Sequence, residues 1–193
     1  DRLASDFARE NHPGLEFIEL DAAHDLEKLP EKYDLVFSNA CLQWLPDHRT
    51  RIRELMGLLN AGGTLAVQIP SQAKHPVHHL LTETVHGARW QGKITSFRQY
   101  NELTEEEYFD VLSENASALR MWEIMYFFEM PSHESILEWY RGTGLRPYLA
   151  QLCDEDKTAF EAEILDGIRK LYPAQKNGSI IFRFPRLFFA ARK

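Results

Sequence analysis

Apolar positions in this chain fall into short runs, and these runs predict the strands of a sheet. Apolar runs bounded by polar or turn-forming residues are typical of strands, and here they lie at residues 33–38, 64–69, 119–130 and 180–191. Residues 15–20 alternate between apolar and acidic positions up to Asp21, so we predict a further strand there. Pro185 interrupts the last run and lacks an amide hydrogen, which predicts a bulge or a sheet edge.

Between these runs, apolar residues recur three or four positions apart, which is the period of an amphipathic helix. Asp47 is a suitable N-cap for a helix over 48–60, and Gly62 with Gly63 is expected to end that helix and turn the chain. Thr104 is expected to open another helix through a capping box. Helices are thus also predicted at 3–11, 76–89 and 105–115, after Ser132, and from Asp154 with an apolar face that includes Leu171.

The alternation of strands and helices predicts an α/β fold with a doubly wound sheet. Strand, helix, Gly-Gly and strand at 33–69 form a βαβ unit, whose two strands should be parallel. The helices within 132–172 separate the last two strands, so we expect a helical insertion that caps one end of the sheet. Residues 1–193 are long enough for one well-buried domain.

The charge balance restricts the possible partners. The chain has 22 basic and 29 acidic residues and a formal net charge of −7, which argues against a nucleic-acid partner. An anionic ligand would need a local positive pocket in this acidic protein. Cys41 and Cys153 lie far apart and suggest no disulfide framework, so a cytoplasmic location is expected. No apolar run approaches the roughly 18 residues of a membrane span, so no membrane association is expected.

Polar residues follow successive predicted strands. Asp21 ends the first, and Asn39 with the backbone of Ala40 follows the strand at 33–38. Ligands of open α/β sheets bind outside the carboxyl ends of the strands. Each of these residues could instead cap a turn, as Asp and Asn often do. Their occurrence at successive strand ends favours a ligand site.

Four segments carry a more specific resemblance: DLVFSNACLQWLPDH at 34–48, LLNAGGTLAVQIP at 58–70, MPSHESILEWYRGTGLRP at 130–147 and NGSIIFRFPRLFFAARK at 177–193. On these segments the chain resembles the trans-aconitate 2-methyltransferase family, which belongs to the class I S-adenosylmethionine-dependent methyltransferases. The first two segments are common to many class I methyltransferases, whereas the last two are more particular to this family. The resemblance extends over nearly the whole chain.

The resemblance implies a Rossmann-like sheet with strand order 3-2-1-4-5-7-6 and an antiparallel last strand. The family's glycine-rich motif and its ribose-binding acid have no counterpart in this sequence. The resemblance therefore implies a partial sheet without the first two strands and an N-terminally incomplete methyltransferase domain. The strand at 15–20 would then have no neighbour, and the apolar faces at 34–38 and 64–69 would lose their cover. We expect the 193-residue chain alone to be inactive.

The resemblance also implies a cofactor and its ligands. Asp21 and Ala22 match the position that binds the adenine of S-adenosylmethionine. Asn39 and Ala40 match the loop beside the methionine part of the cofactor, and Gln43 follows just beyond. The implied cofactor-binding residues are therefore Asp21, Ala22, Asn39, Ala40 and Gln43.

The reaction implied by the family is methyl transfer from S-adenosylmethionine to a carboxylate of trans-aconitate or a similar polycarboxylate. A carboxylate with a pKa of about 4 is already ionised at pH 7, so no general base and no other catalytic residue are expected. The rate enhancement would come from alignment of the reactants and from exclusion of water.

A substrate with several carboxylates is best held by arginine, because its guanidinium binds a carboxylate with two parallel hydrogen bonds. The candidates are Arg146 and Arg186, ahead of Arg141 and Arg183, although each could instead be a solvated or helix-capping arginine. Aromatic side chains after the second strand and near Arg146 could form the pocket wall. The substrate-binding residues are thus predicted to be Trp44, Arg146, Tyr148 and Arg186.

A histidine-rich segment raises the question of a metal. His75, His79, Glu83 and His86 are spaced so that they share one helical face. His75 precedes a proline, which places it at or before the start of the helix. A polar outer face of the helix is the simpler interpretation, and no metal is expected.

Two alternatives stay open at this point. One is a methyltransferase of the same fold with another small substrate. The other is a truncated, non-catalytic α/β module that acts in interaction and not in catalysis. The presence of a strand and glycine-rich loop upstream would favour the enzyme, and the sequence does not indicate an oligomeric state.

Overall fold

A computed structural model of the protein describes residues 7, 9–29, 32–98 and 101–193. Its centre is a four-stranded sheet with the strand order β1-β2-β4-β3. The strands are β1 (Tyr33–Asn39), β2 (Leu59–Pro70), β3 (Ala118–Met130) and β4 (Ile180–Arg192). β1 and β2 are parallel, whereas β4 runs antiparallel to both of its neighbours. The α/β fold is thus confirmed, and this order matches the 4-5-7-6 half of the sheet that the resemblance implied.

Six helices accompany the sheet within the described residues. α1 (His48–Gly57) connects β1 to β2, and α2 (Pro76–Val85) with α3 (Glu105–Ser113) connects β2 to β3. Between β3 and β4 lie α4 (His133–Arg141), α5 (Arg146–Leu149) and α6 (Asp154–Leu171). Short 3-10 turns occur at Leu26–Lys28, Leu42–Trp44 and Gln72–Lys74. The helix predicted at 3–11 falls partly outside the described residues, and residues 7 and 9–11 are helical.

The predicted N-caps are confirmed. Asp47 accepts a hydrogen bond from the backbone of Thr50 at the start of α1. Thr104 and Glu107 form both bonds of a capping box at α3. Ser132 caps α4 by accepting from the backbone of Ser135. These caps satisfy amide groups that have no partner inside the helix, and they fix where each helix begins.

The strand predicted at 15–20 is wrong, because these residues form no strand and pair with none of the four. Leu15 and Ile18 are exposed, at 64% and 53%. A strand exists only when a neighbour satisfies its backbone groups. In the described part of the chain, β1 pairs with β2 alone, so nothing links residues 15–20 to the sheet.

The Gly-Gly turn expected between helix and strand lies inside β2. The first helix ends at Gly57 and not at residue 60, and β2 begins at Leu59. The early start is stabilised by pairing with Lys193, whose carbonyl accepts from Gly62 N (3.1 Å) and whose amide donates to Gly63 O (2.9 Å). Gly62 has a φ of 79°, which an L side chain rarely adopts. The helix expected over 76–89 likewise ends early, at Val85.

Pro185 lies in a central strand, so the predicted bulge or edge is wrong. β4 pairs with β3 without interruption across this residue, which stands opposite Met125. The Pro185 carbonyl accepts from Ser71 N (3.0 Å), so its backbone polar groups face the β2 side. β2 ends at Pro70, opposite Arg186. Pro185 therefore lies just beyond the last paired position of β2, and its missing amide hydrogen removes no bond between the paired residues of β2 and β4.

The buried apolar side chains form two clusters on the sheet. One lies between the sheet and α1 with α3, and includes Ile52, Tyr108, Val67 and Phe189. The other lies between α2, the helices α4–α6 and the first half of β4. Leu171 was expected in this second cluster but is 40% exposed, because it is the last residue of α6. The helices between β3 and β4 therefore pack over one end of the sheet.

The remainder of the second sheet face is open. Leu35 and Phe37 of β1 are 59% and 68% exposed, and Trp122 of β3 is 44% exposed. The exposed side chains at 34–38 agree with the predicted loss of cover there. The same prediction for 64–69 is wrong, because Leu65 and Ile69 are fully buried on the opposite face of β2. None of the helices in the described part of the chain is both long and apolar enough to cross a membrane.

Candidate functional site

The carboxyl ends of β1 and β2 bring two of the predicted site residues to one place. The β1–β2 register sets Asn39 opposite Gln68. Because β4 is antiparallel to β2, its first half returns to the same edge, with Arg186 opposite Pro70. The Arg186 guanidinium donates to the Gln68 side-chain oxygen. Gln68 thus links β4 to the end of β1.

These residues line an open cleft of about 510 Å³ on the uncovered sheet face, together with Phe37, Trp122, Tyr126 and Phe188. The Arg186 guanidinium lies 4.8 Å from the Phe184 ring centroid and 5.7 Å from that of Tyr126. Partial burial lowers the pKa of Arg186, but arginine stays protonated in proteins. The cleft therefore combines apolar walls with one cation.

The loop after β1 turns Trp44 outwards. Ala40 has a left-handed φ of 52°, and its amide donates to the Gln68 carbonyl (2.9 Å). In the 3-10 turn that follows, Leu42 and Gln43 are buried, whereas Trp44 is 50% exposed. The two buried side chains anchor the turn, so the indole ring is held at the rim of the site.

Trp44 forms the wall of a second cleft, of about 470 Å³, which is also lined by Arg98, Thr143 and Arg146. The Arg98 guanidinium stacks over the indole at 4.5 Å and donates to the Thr143 carbonyl (3.4 Å). Arg146 is exposed at the start of α5. The structure thus brings together Trp44 and Arg146, two residues predicted from sequence to bind substrate, and adds Arg98.

A smaller pocket of about 100 Å³ adjoins this cleft and shares Trp44, Arg98 and Thr143 with it. His78 and Tyr140 also line the smaller pocket. Burial, followed by the nearby charges of Arg98 and His79, lowers the pKa of His78 to about 4. His78 is therefore neutral at pH 7, and it adds no positive charge to that of Arg98.

The remaining predicted residues lie apart from these clefts. Asp21 opens a turn in which its carboxylate accepts from Ala23 N (2.8 Å), and Ala22 is half-buried beside it. The Gln43 side-chain oxygen is buried and has no hydrogen-bond partner among the described residues. Tyr148 is buried, and its hydroxyl accepts from the backbone N–H of Arg98 (3.4 Å). Tyr148 thus supports Arg98 and does not line the cleft.

The lower-ranked arginines differ from the cleft residues. Arg141 donates to both carboxylate oxygens of Glu161, at 2.7 and 2.8 Å, and pairs with Glu138. Arg183 is exposed on β4 and lines neither cleft. Sequence reasoning missed Arg98, because nothing in the spacing around it distinguishes it from a solvated arginine. Only its stacking on Trp44, which is 54 residues away in the sequence, reveals its position.

The histidines of α2 are occupied by the protein itself. His75 is buried at the N-cap, and its ring accepts from Val77 N (3.3 Å). The rings of His79 and His86 bond to the Ala73 and Thr82 carbonyls, both at 2.7 Å. Within the described ranges, no group of three or more His, Cys, Asp or Glu side chains could hold a metal ion.

Glu102 is a partly buried carboxyl group beside Gln72 of the smaller pocket. It accepts a hydrogen bond from Gln72 N (3.0 Å), whereas its second oxygen is buried without a partner among the described residues. Burial raises the pKa of Glu102 from its ordinary value of 4.5 to about 7. The folded state therefore favours the protonated carboxyl.

This shift predicts a pH-dependent stability. A raised carboxyl pKa stabilises the fold fully below pH 4.5, and the contribution is lost as the pH rises through about 7. Glu102→Gln removes the ionisable group, so raising the pH from 5 to 8 should destabilise the wild type and not the variant. The free energy of unfolding of the variant, minus that of the wild type, should therefore rise by about 2 kcal/mol between pH 5 and pH 8. Urea unfolding of both proteins at both pH values measures this change. Glu106→Gln, at an exposed position, is the matched control, and an equal difference at both pH values would contradict the prediction.

Comparison with known proteins gives consistent matches. A family model described as a methyltransferase domain matches residues 2–67. Trans-aconitate 2-methyltransferase of Escherichia coli O157:H7 (strain EC4115 / EHEC) is 37% identical over 187 residues, which cover 96% of this chain and 71% of that protein. The Rhizobium etli protein of the same name is 37% identical over 188 residues, covering 96% and 73%. That of Agrobacterium fabrum is 39% identical over 168 residues, covering 86% and 66%.

Solved structures agree on the fold. A Bacillus halodurans protein regarded as a methyltransferase superimposes with a TM-score of 0.57 at 13% identity, covering 100% of this chain and 80% of the other. The YcgJ protein of Bacillus subtilis gives a TM-score of 0.53 at 18% identity, covering 100% and 77%. At these identities the similarity concerns the Rossmann-like fold alone.

Proposed function

The chain belongs to the trans-aconitate 2-methyltransferase family of S-adenosylmethionine-dependent enzymes, and on this premise we propose that it methylates a carboxylate of trans-aconitate or a similar polycarboxylate. The observation that carries the proposal is the pair of cationic clefts at the carboxyl end of the sheet, one at Arg186 and one at Arg146. Neither arginine has a carboxylate within 4.0 Å among the described residues, although the chain has a net charge of −7. These clefts are the local positive pockets that an anionic substrate needs.

For the cofactor we propose the residues that the family resemblance indicates. Gln43 offers a buried oxygen without a protein donor among the described residues, and Asn39 presents an exposed amide at the end of β1. These groups fit a ligand with hydrogen-bond donors, such as the methionine part of S-adenosylmethionine. Ala40 would contribute backbone groups, and Asp21 with Ala22 the adenine contacts. When bound, the cofactor supplies an electrophilic methyl group.

The protein's own contribution is binding and alignment. The substrate carboxylate is ionised at pH 7, so no side chain needs to remove a proton. Arg146 and Arg186 would hold carboxylates that do not react, and Trp44 would exclude water from one side. Because pairing with arginine lowers the nucleophilicity of a carboxylate, the attacking carboxylate should be the one with the fewest pairs. Tyr148 would act through Arg98, to which its hydroxyl is bonded.

We also propose a cytoplasmic location and no nucleic-acid partner. Two observations support this. Cys41 and Cys153 are both thiols, as expected in a reducing compartment. The net charge of −7 would repel a polyanion.

Methyl transfer to a panel of acids tests the proposal. The full-length natural protein that carries this sequence is incubated with methyl-labelled S-adenosylmethionine and trans-aconitate, citrate, fumarate or crotonate, and the products are identified by mass spectrometry. We expect a monomethyl ester of trans-aconitate and little product from the monocarboxylate crotonate. Cofactor binding is measured in parallel by calorimetry. Binding without a product from any of the acids would favour a different substrate, and absence of binding would favour a non-catalytic module.

A further inference from the structure

Arg98 is held in a fixed orientation by three contacts. Its guanidinium stacks on the Trp44 ring at 4.5 Å, and one N–H donates to the Thr143 carbonyl at 3.4 Å. Its backbone N–H donates to the Tyr148 hydroxyl. Stacking occupies the flat face of the guanidinium, so its edge, which carries the hydrogen-bond donors, is left for another partner. Little side-chain entropy would then be lost on binding a ligand.

Most of the donors of Arg98 have no acceptor within the described residues. A guanidinium has five N–H donors, and the only acceptor that the described residues give them is Thr143 O. No carboxylate of the described ranges lies within 4.0 Å of it. By contrast, Arg141 and Arg53 of the same chain each form a two-point pair with a glutamate. Several arginines of this protein are thus paired with a carboxylate, whereas Arg98, like Arg146, has none among the described residues and lines a ligand-sized cleft.

The surroundings of Arg98 favour an anionic partner. Trp44, Trp139 and Tyr140 line the smaller pocket together with Arg98. An ion pair that is partly shielded from water by such rings is stronger than one on an open surface. His78 in this pocket is neutral at pH 7, so the positive charge there comes from the arginine.

Arg146 lines the same cleft of about 470 Å³ as Arg98. Two guanidiniums without a protein carboxylate repel each other, and an anion between them relieves this repulsion. Arg98 and Arg146 can therefore share one carboxylate, while Arg186 holds a second in the proposed mechanism. A ligand with three carboxylates then has one left unpaired, which is the reactive one, whereas a ligand with two has none.

We propose that Arg98 binds a substrate carboxylate and, together with Arg146, makes the cleft selective for tricarboxylates over dicarboxylates. This inference rests on the proposed function, because it assigns the substrate class of that same site. Arg98 has no role in the transfer step itself. Its contribution is to affinity and to the choice among polycarboxylates.

A comparison of substrates that differ by one carboxylate tests the role of Arg98. Mesaconate and glutaconate each lack one carboxylate of trans-aconitate. For Arg98→Gln we expect kcat/KM for trans-aconitate to fall about 10- to 100-fold, chiefly through KM, as for the loss of hydrogen bonds to a charged group. For at least one dicarboxylate the fall should be less than about 3-fold, because the carboxylate that Arg98 binds is already absent. For Arg98→Lys, kcat/KM for trans-aconitate should lie between the values of the wild type and Arg98→Gln, because lysine keeps the positive charge but cannot form two parallel hydrogen bonds to a carboxylate.

Controls separate binding from folding. Arg120→Gln removes an exposed arginine of β3 that lines neither cleft. It should leave kcat/KM for trans-aconitate, mesaconate and glutaconate unchanged. An equal loss on all three substrates would indicate a structural role for Arg98 and overturn the proposal, as would an unchanged KM for trans-aconitate. If the wild type methylates trans-aconitate while Arg98→Gln behaves as the wild type, only this inference fails. If the wild type methylates no polycarboxylate, both the proposed function and the inference about Arg98 fail.

Discussion

Phe182→Ala is expected to lower the free energy of unfolding by about 4 kcal/mol, because it leaves a ring-sized cavity in the core. Phe182 lies in β4 and is fully buried. Its ring is the common neighbour of side chains from the N-cap of α2, from α4, from the C-cap of α6 and from β4. Five aromatic rings lie within 6.3 Å of it between centroids, namely His75, Trp139, Tyr140, Tyr172 and Phe184. The cavity cannot collapse easily, since these rings are fixed by different elements.

Urea unfolding measures this loss, with Phe127→Ala as the matched control. Phe127 lies on the neighbouring strand and is 63% exposed, so its truncation should cost less than about 1 kcal/mol. Phe182→Leu should cost less than Phe182→Ala, because it leaves a smaller cavity. Equal costs for the two alanine variants would show that the core does not depend on Phe182.

Arg146→Gln is expected to lower kcat/KM for trans-aconitate by about 100-fold, with most of the change in KM. The reason is that Arg146 is proposed to hold a carboxylate equally in the ground state and in the transition state. Removing such uniform binding raises KM and leaves kcat nearly unchanged. Arg146→Lys should raise KM less, because the charge remains while the two-point geometry is lost.

Steady-state kinetics with saturating S-adenosylmethionine checks this prediction. Arg146 is exposed and, among the described residues, forms no ion pair, so its loss should not affect folding. Arg120→Gln again serves as the control for a general loss of positive charge. An unchanged KM in Arg146→Gln would remove this residue from the substrate site, and a loss confined to kcat would mean that it stabilises the transition state instead.

The local features of the fold could be predicted well from the sequence. Asp47, Thr104 and Ser132 were identified as caps, and each forms the expected bond at a helix start. A cap needs only its own side chain and amides two or three residues away. The two predicted strands at 119–130 and 180–191 are also confirmed, apart from small differences at their ends.

The wrong predictions share a cause, which is that each depends on a distant segment. Residues 15–20 have a strand pattern but no partner in the described sheet. Gly62 lies in a strand because Lys193 pairs with it. Pro185 fits a central strand because β2 ends at Pro70. Pairing of backbone groups between remote segments is not encoded in the local pattern of either one.

The candidate site shows the same division. Asn39 was identified by its place after a predicted strand, Trp44 by the family resemblance, and Arg146 and Arg186 by the carboxylates of the substrate that the resemblance implies. Whether these residues bind cofactor and substrate stays a prediction for the experiments above. Arg98 could not have been found, since its sequence context is that of an ordinary loop.

The sequence by itself determined the fold class, the helix starts and the family, because these depend on local periodicity, on capping and on segments that are recognisable one by one. The tertiary structure alone decided which cations share a cleft. Arg98, Trp44 and Arg146 come from three separate segments, and they meet only because packing brings the loop after β1 against the helices before β4. The chemistry of a binding site depends on such distances, and no spacing along a single chain specifies them.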